Sequence, residues 1–181
     1  MTDQNLAIVV LAAGQGTRMR SRTPKVLHRI GGRSLLQHVL DTAGTLDPDR
    51  LLVVVRHERD LISDAVQDVA PEAVVVDQDE IPGTGRAVQV ALEQLTGFGG
   101  DILILSADVP LLDGETLAEL VAGHRAAEAA VTLLSARVDD PTGYGRVIRS
   151  GDGGVVGIVE QRDASPEERA IAEINAGVYI F

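Results

Sequence analysis

Short, largely apolar runs recur along the chain and alternate with stretches that have helical spacing. The runs are rich in Val, Ile and Leu, which favours buried strands, and they are Leu6–Leu11, Leu51–Val55, Ala73–Val76, Asp101–Ser106 and Val131–Ala136. The spacing between them predicts helices at 34–44, 58–69, 86–95 and 113–127, two of them capped by Ser34 and Asp113. Strands that alternate with helices predict an α/β fold with a doubly wound, mostly parallel, Rossmann-like sheet.

The last third of the chain has a different pattern. Two apolar segments, at 146–149 and 155–160, flank a turn of Ser, Gly and Asp and predict a small β-hairpin. Ser165 opens a short helix that has both a proline in its first turn and a capping box. A further strand is predicted from Gly177 to Phe181. Because the chain stops on that apolar strand, we expect residues 1–181 to be one domain that is incomplete at its C-terminus.

The composition limits the classes to which the protein can belong. Of its 181 residues, 45% are hydrophobic, yet only four are aromatic, so Val, Leu, Ile and Ala must build the core, as in a parallel sheet covered by helices. The absence of cysteine excludes disulfides, thiolate zinc sites and cysteine nucleophiles. A net charge of -11 argues against a nucleic-acid partner. Neither a signal peptide nor a membrane-spanning apolar stretch is evident, and we therefore expect a soluble, cytoplasmic protein.

One segment has the opposite charge to the rest of the chain. No Asp or Glu occurs from Asn5 to Leu40, whereas five arginines and Lys25, the single lysine of the chain, supply six positive charges. Small residues and glycines from Ala12 to Gly16 let the backbone approach a ligand closely. Because polyphosphates bind to backbone N–H groups beside guanidinium and ammonium groups, we interpret residues 11–25 as a phosphate-binding loop.

Two common phosphate-binding loops are excluded. A Rossmann fingerprint would need glycine at the position of Met19, and no Walker A motif occurs in the chain. The pattern that is present, L-A-A-G-x-G-T-R-M followed by P-K, resembles the opening loop of sugar-phosphate nucleotidyltransferases.

Further candidate residues follow later strands, where ligands bind in open α/β sheets. Gln78 follows the third strand, and its amide can read a base edge as donor and acceptor together. Asp108 is the first carboxylate after the fourth strand. Alone, Asp108 would be interpreted as a turn or cap residue, but opposite a phosphate-binding loop it is the expected Mg²⁺ ligand, because Mg²⁺ prefers one or two carboxylates plus phosphate oxygens and water. Glu160 and Asn175, at the ends of apolar segments, are candidate readers of sugar hydroxyls, although each taken alone would be interpreted as a surface or capping residue.

Sequence signs of a nucleophile or a general base are missing. The four histidines are scattered, and neither a nucleophile elbow nor a Ser-His-Asp order occurs. A sugar phosphate, with a second pKa of about 6, is already largely dianionic at neutral pH and needs no base to attack phosphorus. Positioning, Mg²⁺ and cations therefore suffice for nucleotidyl transfer.

The complete set of motifs resembles the uridylyltransferase domain of the bifunctional bacterial enzyme that makes UDP-N-acetylglucosamine. The matching motifs run in the family's order from residue 11 to 177 and include L-A-A-G-Q-G-T-R-M-R-S, P-K-V-L-H, P-G-T-G-R-A, A-D-V-P-L-L, D-D-P-T-G-Y-G-R-V, G-I-V-E-Q-R-D-A and E-I-N-A-G. The resemblance implies the fold of nucleotide-diphospho-sugar transferases. It also implies a Mg²⁺-dependent reaction in which UTP and N-acetylglucosamine 1-phosphate give UDP-N-acetylglucosamine and pyrophosphate, for cell-wall precursor synthesis.

The resemblance, not the spacing, assigns three groups of site residues. The uridine would be bound by Leu11, Ala12, Ala13, Gly14, Gln78, Gly83 and Thr84. The triphosphate and its transition-state charge would be held by the catalytic residues Arg18, Lys25 and Asp108, the last of which would also bind Mg²⁺. The N-acetylglucosamine 1-phosphate would be contacted by Gly145, Glu160 and Asn175.

The chain departs from the family beside the metal ligand and in length. Ser106 and Ala107, also placed at the ligand, stand where the family often has an aromatic residue and usually has glycine, so that Ala107 would put a Cβ near the ligand. The family continues past residue 181 with a second Mg²⁺ ligand, an Asn, and with an acetyltransferase β-helix domain that forms trimers. We therefore expect this chain to lack that domain and to be monomeric.

Two alternatives stay open. One is a related nucleotidyltransferase with another nucleotide or acceptor, such as a glucose 1-phosphate thymidylyltransferase or a molybdopterin guanylyltransferase, although D-D-P-T-G-Y-G-R and E-I-N-A-G argue against it. The other is a nucleotide-binding module without turnover, which UTP would stabilise against heat but which would release no pyrophosphate.

Overall fold

The computed structural model describes residues 5–16 and 19–181, and within them eight strands form one mixed sheet. The strands are, in chain order, β1 (Asn5–Leu11), β2 (Arg29–Ile30), β3 (Arg33–Ser34), β4 (Arg50–Val55), β5 (Val74–Asp77), β6 (Gly100–Ser106), β7 (Thr132–Arg137), β8 (Arg146–Arg149), β9 (Val155–Val159) and β10 (Glu173–Ile180). The α-helices are α1 (Leu35–Gly44), α2 (Arg59–Val69), α3 (Thr84–Glu93), α4 (Gly114–Ala127) and α5 (Pro166–Arg169). The pair β2 and β3 forms a separate small hairpin.

The parallel half of the sheet has the order β5-β4-β1-β6. Ile8 at the centre of β1 pairs with Leu51 of β4 and Leu103 of β6, and all three side chains are buried. Alternate strand residues contribute to two cores, one covered by α1, α2 and α4 and the other by α3. The structure therefore confirms the predicted doubly wound, mostly parallel sheet.

The helix starts follow the capping residues that the sequence predicts. Ser34 Oγ accepts a hydrogen bond from the Gln37 backbone N–H at 3.0 Å, and Asp113 Oδ1 accepts one from the Thr116 N–H at 2.7 Å. The capping box of Ser165 is also complete. Helix α3 differs, because it begins at Thr84, two residues earlier than predicted, with Gly83 as its N-cap at a φ of 123°. A left-handed φ of this kind favours glycine, so the P-G-T-G motif shapes the helix entry.

The last strand, β10, lies antiparallel between β6 and β7. Its C-terminal half pairs with β6 at Tyr179, whereas its N-terminal half extends beyond β6 and pairs with β8 at Ile174. The predicted strand at 177–181 therefore begins earlier, at Glu173, and the predicted fifth strand, β7, contacts β10 instead of β6. This arrangement places the predicted hairpin, β8 and β9, beyond the carboxyl end of β6.

A buried carboxylate links the three antiparallel strands. Glu173 of β10 accepts hydrogen bonds from Arg149 Nη2 of β8 at 2.6 Å and from Ser135 Oγ of β7 at 2.7 Å. The hydrogen bond from Arg149, followed by that from Ser135, lowers the pKa of Glu173 to about 2. Glu173 is therefore ionised in the folded protein at neutral pH.

Two smaller features complete the description. Gly31 and Gly32, with φ of 59° and 86°, form the turn that joins the two-residue strands β2 and β3. None of the described helices is long and apolar enough to cross a membrane.

Candidate functional site

A cavity of about 750 Å³ opens where β1, β4, β5 and β6 end, and we refer to it as the site cavity. Its walls include most of the residues that the sequence assigns to a ligand. These are Leu11, Ala13, Gly14, Lys25, Gln78, Gly83, Thr84, Ser106, Asp108, Glu160 and Asn175. Residues 164 positions apart in the chain thus meet in one space, as the rule for open α/β sheets predicts.

The predicted phosphate-binding loop forms one wall of the site cavity. It leaves the sheet at Leu11, and the Ala12 N–H then donates to the Val54 carbonyl at 2.8 Å. Gly16, at a φ of 62°, passes so close to Lys25 that a Cβ on Gly16 would lie 2.6 Å from the Lys25 Cβ. Only glycine fits there, because both the backbone angle and the space exclude a side chain. Thr17 and Arg18 lie outside the described residues, so the predicted role of Arg18 stays a prediction.

Lys25 and Asp108 meet across the site cavity. Lys25 Nζ donates a hydrogen bond to Asp108 Oδ2, and Ser106 Oγ donates one to Asp108 Oδ1 at 2.6 Å. About a third of each charged side chain is exposed to the cavity. Burial alone would raise the pKa of Asp108, but the hydrogen bonds from Lys25 and Ser106 outweigh it and lower that pKa. The carboxylate is therefore ionised at neutral pH and faces the space in which a ligand would bind.

Two predicted ligand residues have side chains in the core instead of the site cavity. Ala12 is 1% exposed and Ala107 is 0% exposed, and both belong to the core cluster beneath α1. The Ala107 N–H donates to the Leu11 carbonyl at 3.0 Å, which ties the two loops together. The expectation that the Ala107 Cβ lies near the ligand was therefore wrong, because the extra carbon packs into the core.

Gln78 organises a second wall of the site cavity. Its Nε2 donates to the carbonyls of Ile81 at 2.8 Å and Gly83 at 3.3 Å, and the side chain is largely buried. Arg86 Nη2 holds the same loop through Asp79 Oδ2 at 2.5 Å. The donor of the Gln78 amide is thus used within the protein, and Oε1 is the atom of this amide that is left to accept a hydrogen bond from a ligand.

Several cavity residues were missed by sequence reasoning. Arg56 and His57 line the site cavity directly after β4, and Arg56 Nη2 donates to the Glu80 carbonyl at 2.7 Å. Met19, Gly177 and Tyr179 also line it. The signal for Arg56 and His57 was present, because they follow an apolar strand as directly as Gln78 follows β5.

The antiparallel strands supply the far wall of the site cavity. Asn175 Nδ2 donates to the Tyr179 hydroxyl at 2.6 Å, and its Oδ1 accepts from the Gly177 N–H at 3.0 Å, across an irregular part of β10. Glu160 lines the cavity, and none of the described residues donates a hydrogen bond to its carboxylate. Gly145 is buried beside it, since a Cβ on Gly145 would lie 3.3 Å from Glu160 Oε1. This wall therefore offers a free carboxylate acceptor and a fixed amide.

Among the described residues that line the site cavity, the carboxylates are Asp108, beside Lys25, and Glu160 on the far wall. In the described residues, no group of three or more His, Asp or Glu side chains comes together in a way that could hold a metal ion. One ionised carboxylate suits a cation that takes its other ligands from substrate phosphates and water. It does not suit a metal that requires several protein ligands.

A sequence profile described as a MobA-like NTP transferase domain matches residues 8–151. The chain belongs to this family. The matched part of the NTP transferase domain contains Lys25, Gln78 and Asp108, whereas Glu160 and Asn175 lie beyond it.

Curated relatives are similar to this chain over its whole length. The chain is 57% identical over 182 residues to the bifunctional protein GlmU of Leifsonia xyli subsp. xyli, covering 100% of this chain and 37% of that relative. It is 57% identical over 178 residues to the bifunctional protein GlmU of Clavibacter sepedonicus, covering 98% and 36%. These similarities confirm the resemblance drawn from the motifs, and the chain spans little more than a third of the length of either relative.

Solved structures with low sequence identity share the fold. A UDP-glucose pyrophosphorylase complexed with UDP-glucose has a TM-score of 0.77 at 17% identity, covering 98% of this chain and 76% of that one. HddC from Yersinia pseudotuberculosis complexed with GMP-PN has a TM-score of 0.71 at 24% identity, covering 97% and 76%. At these identities the likeness establishes the architecture of the NTP transferase domain.

Proposed function

We propose that the chain transfers a uridylyl group from UTP to N-acetylglucosamine 1-phosphate, releasing pyrophosphate and forming UDP-N-acetylglucosamine. The observation that carries this proposal is the meeting of Lys25 and Asp108 in a cavity whose other walls hold Gln78 on one side and Glu160 with Asn175 on the other. A charged centre between two polar walls suits a ligand with phosphates in the middle. The motifs imply these substrates through the family resemblance, and the similarity to proteins named bifunctional protein GlmU supports that resemblance.

The nucleotide would bind between the loop after β1 and the loop after β5. The backbone at Leu11 to Gly14 would lie against the ribose and base, and the N-terminus of α3 at Thr84 would face the base. Gln78 Oε1 would accept a hydrogen bond from the N3–H of uracil. Cytosine has an acceptor at N3, so an amide held with its oxygen toward the base would favour uracil over cytosine.

Mg²⁺ is the metal that the site fits best. Asp108 would hold it, because this carboxylate is ionised and faces the cavity, and phosphate oxygens and water would supply the remaining ligands. Bound there, the metal would supply positive charge against the charge that develops on the phosphates. Lys25 would exchange its hydrogen bond to Asp108 for one to a phosphate oxygen, and Arg18 would contribute a second cation.

The reaction needs no side chain that accepts a proton. An oxygen of the acceptor phosphate would attack the α-phosphorus, and the bond to the pyrophosphate oxygen would break, so both electron pairs move without proton transfer. Lys25 and Arg18 would stabilise the charge that moves onto pyrophosphate. Glu160 and Asn175 would orient the sugar so that its phosphate lies in line with the leaving group.

A second candidate is a nucleotide-binding module without turnover, because the chain spans 37% of the Leifsonia relative. Pyrophosphate release over a panel of nucleoside triphosphates and sugar 1-phosphates separates the two. We expect the highest rate with UTP and N-acetylglucosamine 1-phosphate, and none without Mg²⁺. Stabilisation by UTP without pyrophosphate release would favour the binding module, and a preference for another nucleotide or sugar would favour a related transferase.

A further inference from the structure

A buried arginine that forms no ion pair within the described residues lies behind the wall of Gly145, Glu160 and Asn175, which we refer to as the sugar wall because we propose that it contacts the sugar phosphate. Arg146, the first residue of β8, is 1% exposed, and no described carboxylate forms an ion pair with it. Nη1 donates to the Tyr144 carbonyl, and Nη2 donates to Gln161 Oε1 at 2.6 Å and to the Arg169 carbonyl at 3.4 Å. Nε has no hydrogen-bond partner in the described part of the chain.

This arrangement is costly for the fold. A buried guanidinium whose hydrogen bonds all go to neutral acceptors loses its hydration without the full return of an ion pair. Its charge acts on the exposed Asp140 carboxylate, whose pKa is lowered by hydrogen bonds from Thr142 and, to a smaller extent, by Arg146. Its contacts nevertheless join three separate segments, which are the turn before β8, the segment after β9 and the end of α5. Arg146 therefore fixes these segments relative to one another.

The bond between Arg146 and Gln161 lies next to the sugar wall in both segments, since Arg146 follows Gly145 and Gln161 follows Glu160. Arg146 of β8 pairs with Val159 of β9, so the register places Gly145 opposite Glu160 at the end of the hairpin. The bond to Gln161, in the turn that begins at Glu160, holds the two segments together at this point. The spacing of Gly145 and Glu160 is tight, because a Cβ on Gly145 would lie 3.3 Å from Glu160 Oε1.

A third segment, strand β10, is hydrogen-bonded to Gly145 as well. The Asn175 N–H donates to the Gly145 carbonyl at 2.9 Å, so that Gly145 connects the hairpin to β10. Gly145, Glu160 and Asn175 are the residues that would contact the sugar phosphate. All three are thus placed by backbone that Arg146 holds from behind.

We propose that Arg146 is a positioning residue for the sugar half of the site, acting through Gln161 to hold Glu160 against Gly145. This inference rests on the proposed function, since it assigns the same wall to the sugar. If the inference is right, loss of the hydrogen bond between Arg146 and Gln161 weakens the binding of the sugar and leaves the binding of the nucleotide unchanged.

Calorimetric binding of UDP and of UDP-N-acetylglucosamine to the whole chain tests the inference without requiring turnover. Gln161→Leu removes the acceptor of the Arg146 guanidinium and of the Gly143 N–H, which donates to the same oxygen at 3.4 Å, whereas Arg146→Lys keeps the charge, loses the planar fork and leaves the Gly143 contact in place. We expect both variants to bind UDP-N-acetylglucosamine about tenfold more weakly, the effect of one lost charged hydrogen bond, and UDP as the parent does. Gln161→Glu keeps an acceptor at the same place and is expected to restore parent-like binding.

Arg149→Gln is the matched control on the same strand. Arg149 pairs with Glu173 and contacts neither Tyr144 nor Gln161, so this variant is expected to melt earlier with both affinities unchanged. Because Gln161 is only half-buried, Gln161→Leu keeps the test valid if Arg146→Lys does not fold. A parent that binds neither ligand overturns the proposed function and this inference together. Variants that bind both ligands as the parent does, or that weaken both equally, overturn the inference alone.

Discussion

Lys25 and Asp108, 83 residues apart in the chain, are joined by a hydrogen bond from Nζ to Oδ2 at the ends of neighbouring parallel strands. The register, in which Leu11 of β1 pairs with Ser106 of β6, places the start of the loop after β1 beside Asp108. The buried Val26 holds Lys25 in a short 3-10 helix, Lys25–Leu27, over the core. The Ala107 N–H then donates to the Leu11 carbonyl and joins the loop after β6 to the loop after β1. The Lys25 ammonium and the Asp108 carboxylate therefore lie side by side in the site cavity, where we propose that a triphosphate and its metal bind.

Asp108→Asn tests the metal ligand. The substitution keeps the shape of the side chain and removes its negative charge, so we expect pyrophosphate release to fall by about a hundredfold or more and the melting temperature to change little. Asp113→Asn is the control, because Asn caps α4 as well as Asp does and Asp113 does not line the site cavity. Activity of Asp108→Asn close to that of the parent at saturating Mg²⁺ would contradict the assignment.

Lys25→Ala tests the phosphate contact. A cation that interacts most strongly with charge on departing pyrophosphate affects the transition state more than the ground state. We therefore expect kcat to fall about a hundredfold, with a smaller rise in KM for UTP. Arg33→Ala, which removes a surface arginine paired with Asp41, is expected to leave both constants unchanged.

A rise in KM alone would show that Lys25 binds only the ground state. Arg18→Ala, at a position outside the described residues, is expected to resemble Lys25→Ala because the family resemblance gives both residues the same role.

Gly145→Ala tests the tight contact in the sugar wall. The new Cβ would lie 3.2 Å from Ile158 Cγ2 and 3.3 Å from Glu160 Oε1, so the carboxylate must move. We expect KM for N-acetylglucosamine 1-phosphate to rise about tenfold while KM for UTP stays the same. Gly157→Ala in the same hairpin is the control, since its Cβ would meet nothing within 4 Å. Equal changes in the two variants would place Glu160 outside the sugar site.

The pH dependence of unfolding tests Glu173. Its folded pKa of about 2 lies below the ordinary value of 4.5, so the folded state binds this proton less readily than the unfolded state. The resulting stability is fully present above pH 4.5 and is lost as the pH falls toward 2. Glu173→Gln should therefore be less stable than the parent at pH 7, and the difference should shrink in acid. Denaturant titrations across that range measure it, and a constant difference would contradict the assignment.

The sequence predicted the parallel half of the fold because its signals are local. The burial of β1, β4 and β6 follows from apolar runs, and the starts of α1 and α4 follow from Ser34 and Asp113. The place of β10 between β6 and β7 could not be predicted, because strand order depends on pairing between distant segments. The hairpin of β2 and β3 was missed because two residues are too few to show a period.

The candidate site, like the fold, was predicted from the sequence only in part. Gln78 and Asp108 were predicted from their places after strands and Lys25 from the basic segment that contains it, and the structure brings all three to one cavity. The motif could not reveal that Gln78 uses its donor within its own loop or that Ala107 faces the core. Those facts depend on side-chain orientation, which neighbouring elements determine.

The late position of β10 has a consequence for synthesis on the ribosome. The cation and carboxylate at Lys25 and Asp108 can come together once β1 and β6 have paired, long before residues 173–180 have been made. Asn175, Gly177 and Tyr179 then close the far side of the cavity when β10 inserts beside β6. A nascent chain would thus complete the side of the cavity that holds Lys25 and Asp108 before the wall that we propose contacts the sugar.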